Sequence, residues 1–400
     1  MRISTAGIHH AALNALLGQQ SVLSRTQQQI ASGKRVQTPA DDPVAAVHIM
    51  ELQRALAESE QFDRNADMAK GRLTLEEQAL ADAGTLITRV RELTIQGNNG
   101  SVDPASRRML ATEVRSRLKE LMDIANRRDA NGEYLFSGYA TTTQPFAQTS
   151  STTIAYFGDQ GARALQIGPD QRVVDSHSGS AAFMAVTEGN GTFVTNATGG
   201  NTGTGVIAGG TLADPNQWVQ GDYTLRFTSA NGDYEIVDSA AAVVATGTYT
   251  ENSTISFNGA NLNVTGMPAQ NDSFEISRSR TEDIFTTLSN LAATLESSTA
   301  TQADRATFNS SMATALQQLD QASDHLLSVR AEVGTRLSAI DNAQDSLADR
   351  KVELETTTSQ LRDLDYAEAV SRMNQQLVGL QAAQASYSKI SQLSLFDYLR

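Results

Sequence analysis

Five histidines and no cysteine limit the chemistry open to this 400-residue chain. Without cysteine there is no thiol nucleophile, no disulfide and no thiolate metal site. His9 and His10 are adjacent, so on a helix they point to different faces, and no third ligand stands near them. His48 and His325 fall on helical patterns without a serine–acid constellation beside them. His177 lies in Asp175-Ser176-His177-Ser178, which reads as a cluster of ordinary surface residues. Gly200, Gly203 and Gly205 suggest a phosphate loop, but no Gly-Lys-Ser/Thr and no helix start follow them. The sequence therefore points to no enzyme, no resident metal and no cofactor.

The remaining candidate is a loop, "SGKRVQTPADDPVAAV", residues 32–47. Gly33 permits a turn that a β-carbon would strain. Pro39 and Asp42-Pro43 set the start of the next helix, with the aspartate placed to cap free N–H groups. Lys34 and Arg35 are basic groups in a chain of net charge −14. They suit either a neighbouring subunit's carboxylates or plain solvent. That acidic balance argues against nucleic acid.

The elements flanking this loop are helical. Leu52, Ala66, Leu73, Leu80 and Ile87 share one seven-residue row, and Phe62, Ala69, Ala83 and Val90 share the row three positions on. This is an a/d seam, interrupted by Ser59 and Glu76. "GNNGS", 97–101, ends it, and Asp103-Pro104 repeats the start device for a shorter helix carrying Leu110, Val114, Leu118 and Leu121. In "ANGEYLFSGY", 130–139, Asn131-Gly132 favours a turn and Tyr134-Leu135-Phe136 a strand.

Residues 141–280 hold 17 of the 28 glycines and no lysine. "DYTLRFTSANGDYEIVD", 222–238, predicts a hairpin with a type I′ turn at Asn231-Gly232, and "TISFNGANLNV", 254–264, a second hairpin. "NATGGNTGTGVIAGG", 196–210, reads as a mobile surface loop. This region is expected to be an all-β insertion.

The rest returns to helix. Met312, Leu319, Leu326, Val333, Ile340, Leu347, Leu354 and Leu361 keep a spacing of seven. At ~1.5 Å per residue, residues 304–361 would make a rod of ~87 Å and residues 43–96 one of ~80 Å. The matched lengths predict an elongated antiparallel bundle of N- and C-terminal arms carrying a β-rich outer domain.

Both ends keep the same beat, through Leu16, Leu23 and Ile30, and through Met373, Leu380 and Tyr387. Their glutamine-diluted heptads predict packing among copies and ends that settle only on assembly. Breaks near 32–42 and 362–365 divide the chain into three expected domains. They are 1–31 plus 366–400 for assembly, 32–140 plus 281–365 as the bundle, and 141–280 as the insertion. The bundle core is expected at Leu73, Leu80, Ile87, Leu319, Leu326, Val333, Ile340, Leu347 and Leu354. The assembly surface is expected at Leu16, Leu23, Ile30, Lys34, Arg35, Met373, Leu380 and Tyr387, with Leu395, Phe396 and Leu399 of the apolar "QLSLFDYLR". The start, "MRISTAGIHH", lacks the apolar core of a cleaved Sec signal, and no run of 18 apolar residues predicts membrane insertion.

"IASGKRVQTPADDPVAAVHIMEL", 30–52, resembles the N-terminal signature of the bacterial flagellin superfamily. "NGEYLFSGYATTTQPFA", 131–147, and "KISQLSLFDYLR", 389–400, resemble its hook-associated protein 3 branch, found at the hook–filament junction. The resemblance implies type III export without a cleaved signal and an extracellular, flagellar location. It also implies a ring of copies of the chain itself, with hook-associated protein 1, flagellin and a flagellar export chaperone as partners. Flagellin itself is the nearest alternative, and a secreted coiled-coil adhesin a more distant one.

Overall fold

The computed structural model of the chain describes residues 5–150 and 153–392. Its helices are α1 (Thr5–Ser32), α2 (Pro43–Gly97), α3 (Pro104–Ala125), α4 (Ile284–Glu296), α5 (Gln302–Arg362) and α6 (Tyr366–Gln392). Five of them start on the same chemistry. Asp42 Oδ1 accepts from Ala45 N at 3.0 Å, Asp103 caps Ala105 N and Ser106 N with Pro104 in the first turn, and Asp283 caps Thr286 N at 2.7 Å. Asp365 Oδ1 accepts from Ala367 N and Glu368 N, and Thr301 and Asp304 cap each other reciprocally. No described helix is long and apolar enough to cross a membrane.

The chain forms two compact units, residues 65–342 and residues 1–64 with 343–400. In the first, α2 and α5 run antiparallel, as their ion pairs show. Lys70 meets Asp341 at 2.6 Å, Glu77 meets Arg330 at 2.6 Å and Arg91 meets Asp320 at 2.6 Å. Such exposed pairs each stabilise by at most ~1 kcal/mol, so they mark register more than they hold it. The seam beneath does the holding. Leu73, Leu80, Ile87, Leu319, Val333 and Ile340 are fully buried and Leu326 is 1% exposed. Val114 and Leu121 of α3 and Leu288 and Leu291 of α4 complete the packing. In the other unit Leu347 is buried but Leu354 and Leu361 are only half-buried. The covering helices α3 and α4 belong to the unit of residues 65–342.

Between α3 and α4 lie fourteen short strands among the described residues. β1 (Phe146–Gln148) pairs with β2 (Ile154–Tyr156), β3 (Ala164–Gln166) with β4 (Arg172–Val174), and β5 (Val186–Thr187) with a later strand, β14 (Thr281–Glu282). A five-stranded antiparallel sheet has the order β10-β9-β8-β13-β6, and a three-stranded one the order β11-β12-β7. Their bounds are β6 (Phe193–Ala197), β7 (Val206–Leu212), β8 (Tyr223–Phe227), β9 (Asp233–Asp238), β10 (Val243–Thr248), β11 (Thr254–Phe257), β12 (Ala260–Thr265) and β13 (Ser273–Arg278). Alternate residues from both sheets, among them Ile207, Leu225, Ile236, Leu262, Val264 and Phe274, share one core. The expected class, mainly α with a β-rich insertion between long paired helices, is the observed one.

Several local expectations are corrected. Tyr134-Leu135-Phe136 is a buried turn rather than a strand, apart from one bridge between Arg128 and Tyr134. Its Phe136 ring is needed inward: it meets Phe183 edge-on at 5.0 Å, and Phe183 in turn meets Phe146 at 5.8 Å. The β8–β9 hairpin forms, but not through a two-residue type I′ turn. Only Gly232 of Asn231-Gly232 has positive φ, because Ser229 Oγ bonds Asn231 N and the Asp233 carboxylate and so favours a longer loop. The two-residue turn with both φ positive is Asn258 (φ 45°) and Gly259 (φ 77°), joining β11 to β12. The last third of the expected loop at 196–210 is strand β7, and its first two residues end β6. Its glycine-rich remainder is pinned by the buried Asp272 carboxylate, which accepts from Thr202 N at 2.7 Å and Gly203 N at 3.0 Å.

The cluster around His177 is not a surface cluster. Asp175 is fully buried, Ser176 is 3% exposed and Ser178 is 8% exposed. Glu76, which breaks the apolar seam, is fully buried as well, and His177 Nδ1 lies 2.7 Å from its Oε1. A buried carboxylate requires a partner, and the loop after β4 supplies one. On the ring's other side Glu332 stands 3.1 Å from Nε2. Arg72 extends the network, reaching Asp129 at 3.0 Å, Glu133 at 3.3 Å and the Tyr134 carbonyl at 2.9 Å. Arg163 pairs with Asp175 at 2.6 Å. His325 donates from Nε2 to the Ala181 carbonyl at 2.8 Å. Among the described residues no group of three His, Asp or Glu side chains can hold a metal ion.

Leu326→Ala should lower unfolding free energy by about 2–5 kcal/mol, the range for a buried leucine that leaves a cavity. An unchanged denaturation midpoint would mean that the 312–340 row is not the seam. The His177–Glu76 pair should make stability depend on pH. Burial pulls the His177 pKa down, the Glu76 hydrogen bond and charge pull it up more strongly, and the result lies above 6.5. Its contribution is then complete below 6.5 and lost as pH rises through the folded value. Wild type should exceed His177→Gln in stability in mild acid, and the gap should close in mild alkali. A gap constant with pH would remove the ion pair from the account.

Candidate assembly interface

The candidate surface lies in the unit of residues 1–64 and 343–400, where α1 packs along α6. The helices approach closely: a β-carbon on Gly379 would come within 2.7 Å of Gln19 Nε2. Leu23 is 7% exposed, and Leu16, Ile30, Met373, Leu380 and Tyr387 are half-buried. The two diluted rows thus form continuous helices, each paired with the other within one chain, where settling only on assembly was expected. Each row is too thin to stand alone, but the other supplies its apolar partner. Leu395, Phe396 and Leu399 lie outside the described residues.

The loop of residues 33–42 is a two-stranded elbow. Gly33 has φ +70°, and a β-carbon there would meet Tyr366 Oη at 2.8 Å. Leu364 N donates to Gly33 O at 3.0 Å and Arg35 N to Arg362 O at 2.7 Å, so the break after α1 is tied to the break after α5. Arg35 Nη2 donates to Leu361 O at 2.7 Å, inside the same chain. Lys34 is exposed and bridges to Asp363 through its backbone. Asp41 closes the loop by accepting from Thr38 N at 2.9 Å and Gln37 N at 3.2 Å. Those bonds, the Thr38 amide first, hold its carboxyl below the usual range. Val36, Ala45 and Ile49 pack with Leu361 beneath the elbow.

What pairing leaves uncovered is apolar. Leu13 (43%), Leu17 (55%) and Val22 (50%) are exposed on α1, and Val370 (40%) and Val378 (65%) on α6. Val44, Val47 and Met50, spaced by three at the start of α2, are 69%, 56% and 66% exposed. Sequence reasoning followed the seven-residue rows and passed over these residues. Their three- and four-residue spacing on a second helical face was the signal available. The place of Tyr366 over Gly33 gave no signal in the sequence.

Gly33→Ala should strain the elbow and loosen it. Hydrogen exchange at the Arg35 and Leu364 amides should speed up, with a cost of about 1 kcal/mol or more from the left-handed backbone and the Tyr366 clash. Unchanged protection at both amides would refute the elbow's dependence on glycine.

Comparison with known proteins agrees with this architecture. The bacterial flagellin N-terminal helical region matches residues 3–141, and the bacterial flagellin C-terminal helical region matches residues 316–399. A family of unknown function matches residues 208–334. Flagellar hook-associated protein 3 of Salmonella typhimurium is 31% identical over 187 residues, 47% of this chain and 58% of that protein. The chain thus spans 58% of the length of that curated relative. The crystal structure of FlgL from Xanthomonas campestris matches with 37% identity and a TM-score of 0.72, covering 77% of this chain and 99% of that one. The flagellar hook associated protein-3 structure from Legionella pneumophila matches with 30% identity and a TM-score of 0.75, covering 78% and 98%. With identity at this level across nearly the whole of the solved relatives, the chain belongs to the flagellin family, in its hook-associated protein 3 branch.

Proposed function

We propose that the protein is a structural, non-catalytic subunit of the bacterial flagellum, placed at the hook–filament junction, outside the cell. Copies form a ring by packing their paired terminal helices side by side. Hook-associated protein 1 on one side and flagellin on the other are the neighbours that this position implies, and an export chaperone holds the chain before assembly. Residues 1–31 with 366–400 serve assembly, 32–140 with 281–365 serve as the bundle, and 141–280 present the β-rich outer surface. The observation that carries this reading is the apolar surface left on α1, α6 and the first turns of α2 after each chain has paired its own ends. Side chains such as Leu17 and Val378 gain ~1.5–3 kcal/mol each on full burial, and a neighbouring copy supplies the cover.

The test is complementation of a strain that lacks the gene. Leu17→Glu and Val378→Glu should fold as wild type does, within about 0.5 kcal/mol, because both positions are exposed. They should fail to enter the junction, leaving hooks without filaments while flagellin is shed into the medium. Normal swimming with either variant would sink the assembly role of this face.

A further inference from the structure

We propose that the cavity at the elbow is a carboxylate site that receives Glu51 from a second copy of the chain. This rests on the assembly role proposed above and states which surfaces meet. Head-to-tail packing joins two unlike patches, so one patch of each copy must complement another. The cavity has a volume of about 300 Å³ and lies between α1, the elbow and the first turns of α6. Arg25, Arg35 and Arg372 line it with Asp41 and Asp42. Both carboxylates are already held by backbone N–H groups, Asp41 by those of Thr38 and Gln37 and Asp42 by that of Ala45. The guanidinium groups keep donors to spare. Arg25 comes no closer than 3.8 Å to Asp41 and donates no hydrogen bond among the described residues. Arg35 Nη2 donates to the Leu361 carbonyl and Arg372 Nη2 to Glu368, and each guanidinium retains further N–H groups.

Three guanidinium groups against two carboxylates leave the lining one positive charge. A single carboxylate matches that charge, and its two oxygens fit the planar fork of an arginine. The lining is not wholly polar: Val22, 50% exposed, shares the cavity with Arg25 one turn on. The guest should therefore carry apolar groups beside its carboxylate. The start of α2 has that pattern. Val44, Val47 and Glu51 share one side of the helix, and both valines are exposed. Glu51 is exposed too, and its partner is the exposed His48 ring at 3.4 Å, a surface pair of little stability. Glu355, beside the exposed Val352, is the rival guest, but only that one exposed valine accompanies it. Glu51 stands eight residues along α2 from Pro43, roughly 12 Å, so an axial step of that order between copies brings it to the neighbour's cavity.

Charge reversal in the full chain tests the contact, by complementation of a strain that lacks the gene. Arg25→Glu and Glu51→Arg should each leave most cells without filaments. The two changes together in one chain should restore filaments to most cells. The purified variants should keep the wild-type circular dichroism, since both positions are exposed. Rescue separates a contact between copies from a structural role of Arg25, because Arg25 and Glu51 do not pair within the chain. If Arg25→Glu fails to fold, Arg372→Glu takes its place in the swap. Normal filaments with either reversal, or a double variant no better than its parents, would overturn the contact. Rescue of Arg25→Glu by Glu355→Arg and not by Glu51→Arg would overturn the choice of guest. Normal filaments with Arg25→Glu alongside failure of Leu17→Glu would leave the assembly role standing and remove only this site.

Discussion

The antiparallel seam between α2 and α5 is the constraint on which the unit of residues 65–342 depends. Either helix alone is mostly polar and would be marginal in water. Burying Leu73, Leu80 and Ile87 with Leu319, Leu326 and Val333 converts two long, weak helices into one core. The seam is not wholly apolar, and that has a consequence. Arg72 and Glu76 point into it, and neither charge could stay there unpaired. Their partners come from outside the helices: Asp129 and Glu133 from the turn after α3, and Asp175 and His177 from the loop after β4. The polar breaks in the heptad row thus tie the inserted segments to the bundle. They make those loops part of the helical core and not mere connections.

That coupling explains which parts of the fold were legible in the sequence. Periodicity reports which residues turn inward along one helix, so the long helices, their direction and most of the core could be read. Helix starts were readable for the same reason, since Asp42 and Asp103 act within three residues of themselves. Glu76 was legible only as an interruption, because its partner is 101 residues away. The same distance problem hid Asp272, whose carboxylate orders a glycine-rich loop some seventy residues earlier. Tyr134-Leu135-Phe136 has the composition of a strand, yet the Phe136 ring is claimed by Phe183 and the Tyr134 carbonyl by Arg72, and local β preference loses to tertiary packing.

The candidate surface was legible in its place but not in its residues. The matched ends, the glycine at 33 and the break near 362 marked an elbow made by two segments, and the backbone bonds from Arg35 to Arg362 and from Leu364 to Gly33 form it. The seven-residue rows were expected to serve neighbouring copies. Within the chain, however, α1 and α6 are each other's nearest apolar surface, and the rows are used there first. Arg35 follows the same logic: a donor expected either for a neighbour's carboxylate or for solvent is engaged by the Leu361 carbonyl of its own chain.

A surface for assembly must therefore be sought among the groups that remain after intramolecular pairing. The helical repeat permits a second face, because positions three and four apart share a side that a seven-residue row does not exhaust. Leu13 and Leu17 occupy such a side on α1, and Val44, Val47 and Met50 another at the start of α2. None of them adds to the buried core, so their apolar character has no explanation within the monomer. Contact with another copy would give it one, and that contact would use side chains the folded chain holds ready without drawing on those that hold it together.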